Sequence, residues 1–120
     1  MFARRRLGRW LTGAAFIPLV SACGADPGDS AGSGPPDGPA LYATHCAACH
    51  GADLRGTLSG PSLLLEVYGP TETPDQAMRD AVEDGVLQKR WEFGSMAPVA
   101  GLDDDEVTAI IAFIRAQQDG

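Results

Sequence analysis

The stretch CAACHG, residues 46–51, decides how the rest of the chain can be arranged. In a helical conformation Cys46 and Cys49 are three residues apart and Cys46 and His50 four apart, so their side chains project from one face. Two thiols and an imidazole on one face can hold a flat group by two covalent bonds and one nitrogen ligand. Gly51 has no Cβ, so the backbone can turn away from that group at close range.

Three kinds of site use these residue types. A thioredoxin-like dithiol lies at a strand-to-helix turn, but no strand-like run precedes Cys46. A zinc site needs further ligands, and the only other histidine, His45, lies immediately beside the first cysteine. Cys-x-x-Cys-His is the attachment motif of a c-type haem. The motif therefore predicts one covalently attached haem c, with thioethers at Cys46 and Cys49 and iron bound by His50, and we expect His45 to be a surface residue.

Length and composition favour one small folded domain that follows an N-terminal region rich in glycine and proline. Many of the 15 glycines and nine prolines in the 120 residues lie before residue 40. The folded part then has about 80 residues, a size at which the core is small and usually needs an additional stabilising element. A covalently held haem, with its apolar faces, would supply that element.

Charge is divided along the chain. The net charge is −7, yet four of the nine basic residues precede residue 10, whereas all sixteen acidic residues lie at Asp26 or later. Without residues 1–22, five basic and sixteen acidic residues remain, a net charge of −11. No basic stripe is left to neutralise phosphates, which argues against nucleic acid. We expect protein partners that present a basic patch or an apolar docking surface.

Residues 1–22 are typical of an export signal. Arginines at positions 4, 5, 6 and 9 precede an apolar run over residues 10–20 and then small residues. The apolar run is too short for a permanent membrane-spanning helix. The three consecutive arginines also suggest a twin-arginine signal, but their flanking residues match that pattern poorly, so we favour the ordinary secretory route.

Residues 19–23, LVSAC, resemble the lipobox of bacterial lipoproteins. The resemblance implies that Cys23 is lipidated and begins the mature chain, and two acyl chains give stable membrane anchoring. Cys23 is also the odd cysteine once Cys46 and Cys49 are assigned to haem. The alternative is an ordinary cleavage site with Cys23 left over. Lipidation predicts a membrane-anchored lipoprotein of the cell envelope, facing the periplasm or the outer face of the cytoplasmic membrane.

The sequence divides the chain into three parts. Residues 1–22 form the signal peptide, and residues 23–38 contain the lipidated cysteine and a flexible linker, because GADPGDSAGSGPPDG holds no residue able to build a core. Residues 39–120 form the folded domain. Its first helix is expected to start at Pro39 and to run into the haem motif, with Leu41 and Tyr42 as packing residues.

Two further helices are predicted from their caps. Thr73 as N-cap, Pro74 at the first position and Gln76 completing a capping box predict a helix that ends near Asp84, before Gly85. Its Met78 shares a face with other apolar residues, so we interpret it as core and not as a ligand.

The last helix begins after Asp103, with Glu106 at the third position. We interpret its acidic cluster, residues 103–106, as a solvated cap and not as a metal site. The helix carries an apolar stripe at i, i+3, i+4 and i+7, made by Val107, Ile110, Ile111 and Ile114.

The order of these features resembles class I (monohaem) cytochromes c over residues 39–118. Gly60-Pro61-Ser62-Leu63 follows the haem motif, and Met96 lies in the non-periodic segment 86–98 before the last helix. The resemblance implies an all-α fold of three to four helices packed around one covalently attached haem, with the last helix crossing the first near Leu41 and Tyr42.

The same resemblance implies roles for individual residues. Met96 is the second axial ligand of the iron, opposite His50, and Pro61 packs on the histidine side, where a backbone carbonyl holds the imidazole N–H. Trp91 is a candidate for packing against the haem edge, and Lys89 and Arg90 are candidates for pairing with the propionates. An ordinary hydrophobic anchor followed by exposed basic side chains is the alternative for these three residues.

Iron bound by both His50 and Met96 has no open position, so the sequence predicts one-electron transfer and no catalytic residue. We expect a membrane-tethered electron carrier in a bacterial respiratory or dehydrogenase chain. By resemblance, its partners are a quinol:cytochrome c reductase, a terminal oxidase or a dehydrogenase. Two alternatives are a fixed cytochrome subunit of an oxidoreductase complex and, if Met96 is displaceable, a haem sensor or ligand-binding cytochrome.

Overall fold

The computed structural model describes residues 34–120. The predicted signal peptide, Cys23 and the predicted linker up to residue 33 lie outside the described residues. In the described part the elements are four α-helices and one 3-10 turn, with two isolated β-bridges and no named strand, which confirms the all-α prediction. The elements are α1 (Gly38–His45), α2 (Ala47–His50), the 3-10 turn (Glu66–Tyr68), α3 (Asp75–Asp84) and α4 (Asp104–Gln118). Within residues 34–120 no helix has the length and apolar character needed to cross a membrane.

Helix α1 begins at Gly38, one residue before the predicted start at Pro39. The Asp37 side chain caps it by accepting a 3.1 Å hydrogen bond from the Ala40 N–H. Gly38, which the sequence placed in the linker, is buried, and a Cβ there would run into the backbone carbonyl of Ala109 in α4. The start of α1 is therefore a close helix crossing that requires glycine.

The predicted continuous helix into the haem motif is wrong, because the helix is interrupted at Cys46 (φ −121°, ψ −34°). Cys46 separates α1 from the single-turn α2. Its carbonyl oxygen nevertheless accepts hydrogen bonds from the N–H groups of Cys49 (3.2 Å) and His50 (3.0 Å). The motif thus forms a separate helical turn, which the Cys46 N–H joins to α1 through a 2.9 Å hydrogen bond to the Tyr42 carbonyl.

The predicted capping box of α3 is also wrong. The N-cap of α3 is Pro74 and no side chain caps the helix. The Thr73 hydroxyl instead donates a 2.7 Å hydrogen bond to the carbonyl of Val67 in the preceding loop, and the Gln76 amide donates to Asp80 within the helix. The predicted end is confirmed, since α3 stops at Asp84 and Gly85 has φ +74°.

Helix α4 confirms its prediction in detail. Asp103 accepts a 2.8 Å hydrogen bond from the Glu106 N–H, and the Glu106 carboxylate accepts one of 2.9 Å from the Asp103 N–H. All four residues of the predicted apolar stripe are buried. The helix packs on α1, where the rings of Tyr42 and Phe113 lie 5.3 Å apart between centroids, so the predicted crossing near Tyr42 is confirmed.

The core combines helical residues with residues from the long loop after the haem motif. Met78 is buried in it, as predicted. Leu54, which was not predicted as a core residue, is 2% exposed and adopts φ +62°. Its carbonyl accepts hydrogen bonds from the Leu63 N–H (2.9 Å) and the Ser62 hydroxyl (3.0 Å), which fold the loop back on itself.

Candidate functional site

A largely apolar cavity of about 410 Å³ lies between the haem motif, the loop after it, α3, the segment before α4, and α4 itself. This volume falls in the range of small-molecule and cofactor sites. Cys46, His50 and Met96, three of the four haem-attachment and axial-ligand candidates, all line it. The fold thus brings together a thiol, an imidazole and a thioether that are up to fifty residues apart in the sequence.

His50 is oriented by the loop that follows the motif. Its Nδ1 lies 2.9 Å from the carbonyl oxygen of Pro61, and since a carbonyl can only accept, Nδ1 carries the hydrogen. The lone pair on Nε2 is then available to a metal, and the hydrogen bond increases the basicity of the ring and fixes its orientation.

The turn after His50 is fixed by two contacts that hold the motif in place. Gly51 is buried with φ +83°, and its carbonyl accepts a 2.7 Å hydrogen bond from the Tyr42 hydroxyl of α1. Gly60 approaches the motif so closely that a Cβ there would lie 2.8 Å from the Cys49 carbonyl oxygen. The sequence identified Tyr42 only as a packing residue, because nothing in its local pattern points to a partner nine residues away.

Met96 is held by backbone atoms. It forms an isolated antiparallel bridge with Val86, with N–H to carbonyl distances of 2.8 and 2.9 Å, and this bridge closes the loop 87–95. The sequence predicted a loop here but not the bridge, since a pairing of two residues leaves no alternating pattern. The bridge requires a glycine at position 85, because a Cβ on Gly85 would lie 2.5 Å from the Met96 carbonyl oxygen.

A family model described as cytochrome c matches residues 36–118, which is more than two thirds of the chain. The chain belongs to the cytochrome c family. No curated protein matches this cytochrome c. Membership implies a covalently attached haem c with its iron, and Cys46 and Cys49 of the Cys-x-x-Cys-His motif fit that attachment.

The two attachment cysteines of this cytochrome c differ in environment. Cys46 is half-buried and lines the cavity, whereas Cys49 is exposed, and neither forms a disulfide. Burial raises the pKa of the Cys46 thiol to about 11, and the nearby negative charge of Cys49 adds to the shift.

Trp91 lines the cavity of this cytochrome c from loop 87–95, and it is 37% exposed. Its indole N–H donates a 2.8 Å hydrogen bond to the Tyr68 hydroxyl, and its ring lies 6.4 Å from that of Phe93. Lys89 and Arg90 also lie on the lining and are exposed. These positions suit either haem contacts or an exposed anchor, so both interpretations stay predictions. His45 is exposed.

The residues present fit the cofactor of the family. The cavity walls are supplied mainly by apolar side chains of α3 and α4, which suit the faces of a porphyrin. His50 presents a free ring nitrogen to the same cavity, and Cys46 presents its sulfur there. The apolar contributors from the two helices are Ala77, Met78, Ala81, Val82, Ile110, Ile111 and Ile114.

Proposed function

We propose that this cytochrome c is a membrane-tethered one-electron carrier whose haem iron is bound by His50 and Met96. When bound, the haem supplies a one-electron Fe(II)/Fe(III) couple, and haem-based electron transfer is the activity that family membership implies. One observation carries the ligand assignment: His50 and Met96 line the same apolar cavity. In addition, the Pro61 carbonyl accepts the hydrogen bond from Nδ1 of His50, which leaves Nε2 for the iron.

The chain's own residues suit a carrier. The Pro61 carbonyl fixes the imidazole, which limits rearrangement when the charge of the metal changes. A neutral thioether at Met96 favours the reduced state and raises the potential. The apolar walls from α3 and α4 would keep water away from a bound haem, which also raises the reduction potential.

Met96→Ala tests the ligand assignment. The variant should lose the six-coordinate low-spin spectrum and the weak sulfur-to-iron absorption band, and its ferrous form should bind carbon monoxide at neutral pH. Met78→Leu is the matched control, because Met78 lines the same cavity but is buried in the core. If the band survives in Met96→Ala and disappears in Met78→Leu, Met78 is the ligand and the assignment is wrong.

The membrane tether is supported by the lipobox-like residues 19–23 and by the linker composition, and domains of this family are typically exported. The tether would hold the domain at the cell-envelope membrane on its periplasmic or outer side. Cys23→Ser should move the holoprotein from the membrane to the soluble fraction and remove the acyl mass from the mature chain. Acylation of the variant would contradict lipidation at Cys23, and membrane retention of the variant without acylation would contradict the lipid as the tether.

Docking to redox partners is supported by charge and by one exposed apolar side chain. Residues 34–120 carry fourteen acidic and five basic residues, which favours partners with a basic patch. Leu58 is 97% exposed on the turn closed by Thr57 and Gly60, and the Thr57 hydroxyl donates a 2.7 Å hydrogen bond to the Cys49 carbonyl. This turn places an apolar contact point beside the exposed attachment cysteine.

Leu58→Ser should slow electron exchange with a reductase, oxidase or dehydrogenase of the respiratory chain, because it removes the apolar contact without adding charge. Its potential and spectrum should stay unchanged, because the side chain contacts solvent. Increasing salt should slow the exchange further for a basic partner. Unchanged rates in the variant and in high salt would instead favour a fixed subunit of a larger complex, which would co-purify in a constant ratio.

A further inference from the structure

The part of the cavity lining between the haem motif and α3 has little regular structure of its own. We call residues 63–73 the wall segment, and its Leu63, Val67, Tyr68 and Thr73 line the cavity. Its only regular element is the 3-10 turn Glu66–Tyr68. A segment of this kind leaves backbone carbonyls that need donors from elsewhere when they are removed from water.

Arg115 of α4 supplies donors to two of these carbonyls. Its guanidinium donates to the carbonyl oxygens of Tyr68 (2.7 Å) and Thr73 (2.5 Å), and it forms an ion pair with Asp75 at 2.8 Å. The Arg115 side chain is only 15% exposed, whereas that of Asp75 is 62% exposed. The mostly buried Arg115 guanidinium therefore contacts the wall segment and the start of α3, and the Asp75 carboxylate beside it is largely exposed to solvent.

Gln118, one turn further along α4, supplies two further hydrogen bonds. Its amide nitrogen donates to the carbonyls of Leu63 (2.7 Å) and Tyr68 (3.0 Å), and its amide oxygen accepts from Arg115 (2.8 Å). Residues three apart share a helix face, so the two side chains act together. They hold the wall segment at its beginning, middle and end.

We propose that Arg115 and Gln118 are positioning residues that hold the wall segment in the shape the haem cavity requires. The planar, fixed fork of a guanidinium can serve two carbonyls and a carboxylate at once, which a lysine ammonium on a flexible stem cannot reproduce. The proposal rests on haem occupying this cavity and is independent of Met96 as a ligand.

Hydrogen exchange and potentiometry on the holoprotein test this role. In Arg115→Met, the wall amides of Tyr68, Gly69 and Thr73 should exchange about tenfold faster or more, since bonds to a charged donor are lost. The amides of α1 should keep their protection. The reduction potential should fall, because a loosened wall admits water to the cavity.

Arg79→Met is the matched control. Arg79 also joins two helices, donating from α3 to the Thr108 hydroxyl (2.6 Å) and the Asp104 carbonyl (3.4 Å) of α4, but it contacts no wall carbonyl. Arg79→Met should leave the exchange rates of the wall amides and the reduction potential unchanged. Equal acceleration of wall and α1 amides in Arg115→Met, or the same response in Arg79→Met, would show a general stabilising role and overturn the proposal.

Two further variants separate shape from charge. Arg115→Lys keeps the positive charge and should still show fast wall exchange and a lowered potential; full recovery of both would mean that charge alone acts, against the proposal. Gln118→Leu removes two wall bonds and leaves Arg115 in place, so it gives a milder test if Arg115→Met does not fold. Unchanged wall exchange in Gln118→Leu would overturn the assignment of Gln118.

Discussion

The Tyr42 hydroxyl donates a 2.7 Å hydrogen bond to the carbonyl oxygen of Gly51, the residue directly after His50. Tyr42 is 1% exposed and packs against Phe113 of α4. The Tyr42 side chain therefore connects the crossing of α1 and α4 to the turn that carries the haem motif. Changes at Tyr42 should affect the stability of the fold and the setting of His50 together.

Tyr42→Phe keeps the ring and removes the hydroxyl, which leaves the buried Gly51 carbonyl without its donor. We expect the free energy of unfolding of the holoprotein to fall by about 1–3 kcal/mol. Denaturant titration followed by haem absorbance measures it. Tyr68→Phe is the control, since the Tyr68 hydroxyl only accepts from the exposed indole of Trp91, and it should cost less. Equal stability of wild type and Tyr42→Phe would contradict a structural role for the hydroxyl.

Stability should also decrease at alkaline pH through the same residue. Burial raises the pKa of Tyr42 from 10.0 to about 12, with a smaller contribution from the negative charge of Asp53. The folded state favours the neutral phenol, so this contribution is fully present below the unfolded pKa and is lost as pH rises from 10 towards 12. A tyrosinate absorbance titration should show a late step in wild type that is missing in Tyr42→Phe; its persistence in the variant would contradict the assignment.

Gly38→Ala should destabilise the fold by about 1–3 kcal/mol, because overpacking forces neighbouring elements apart. The added methyl would meet the Ala109 carbonyl at the α1–α4 crossing. Gly34→Ala, four residues earlier, has no atom within 4 Å of the added Cβ and should be close to neutral. Thermal unfolding of the two variants checks the difference, and equal melting temperatures would mean that the crossing tolerates a larger spacing.

Gly85→Ala and Gly94→Ala form a second matched pair, since both glycines have positive φ (74° and 89°). Each variant carries a backbone cost of about 1–3 kcal/mol. Only Gly85→Ala also meets a neighbour, with the Met96 carbonyl oxygen at 2.5 Å, whereas Gly94 has nothing within 4 Å. We expect Gly85→Ala to lose more stability and to weaken the sulfur-to-iron band, which Gly94→Ala should retain. The same band intensity in both variants would argue against Gly85 as the support of Met96.

The sequence predicts best where structure is set by neighbouring residues. The reciprocal bonds of Asp103 and Glu106 lie within one turn of α4, and the buried stripe follows from helical periodicity alone. The haem motif is local in the same sense. These features gave the fold class, the last helix and the family resemblance.

Prediction failed where a distant partner decides the conformation. Thr73 was expected to cap α3, but its hydroxyl donates to the Val67 carbonyl, and no side-chain oxygen accepts from the first N–H groups of the helix. Gly38 was placed in the linker because its role depends on the backbone of Ala109, more than seventy residues later. The contacts of Arg115 with Tyr68 and Thr73 could not be predicted either, because they join residues more than forty positions apart and produce no periodic pattern in the sequence.

The bridge between Val86 and Met96 uses main-chain atoms only. A side-chain change between these two positions therefore leaves both hydrogen bonds of the bridge in place, provided that the contacts of Ser95 with the Gln88 N–H and of Trp91 with Tyr68 are kept. Within that limit, loop 87–95 can be varied beside the cofactor site to change the properties of the redox centre on an unaltered helical scaffold.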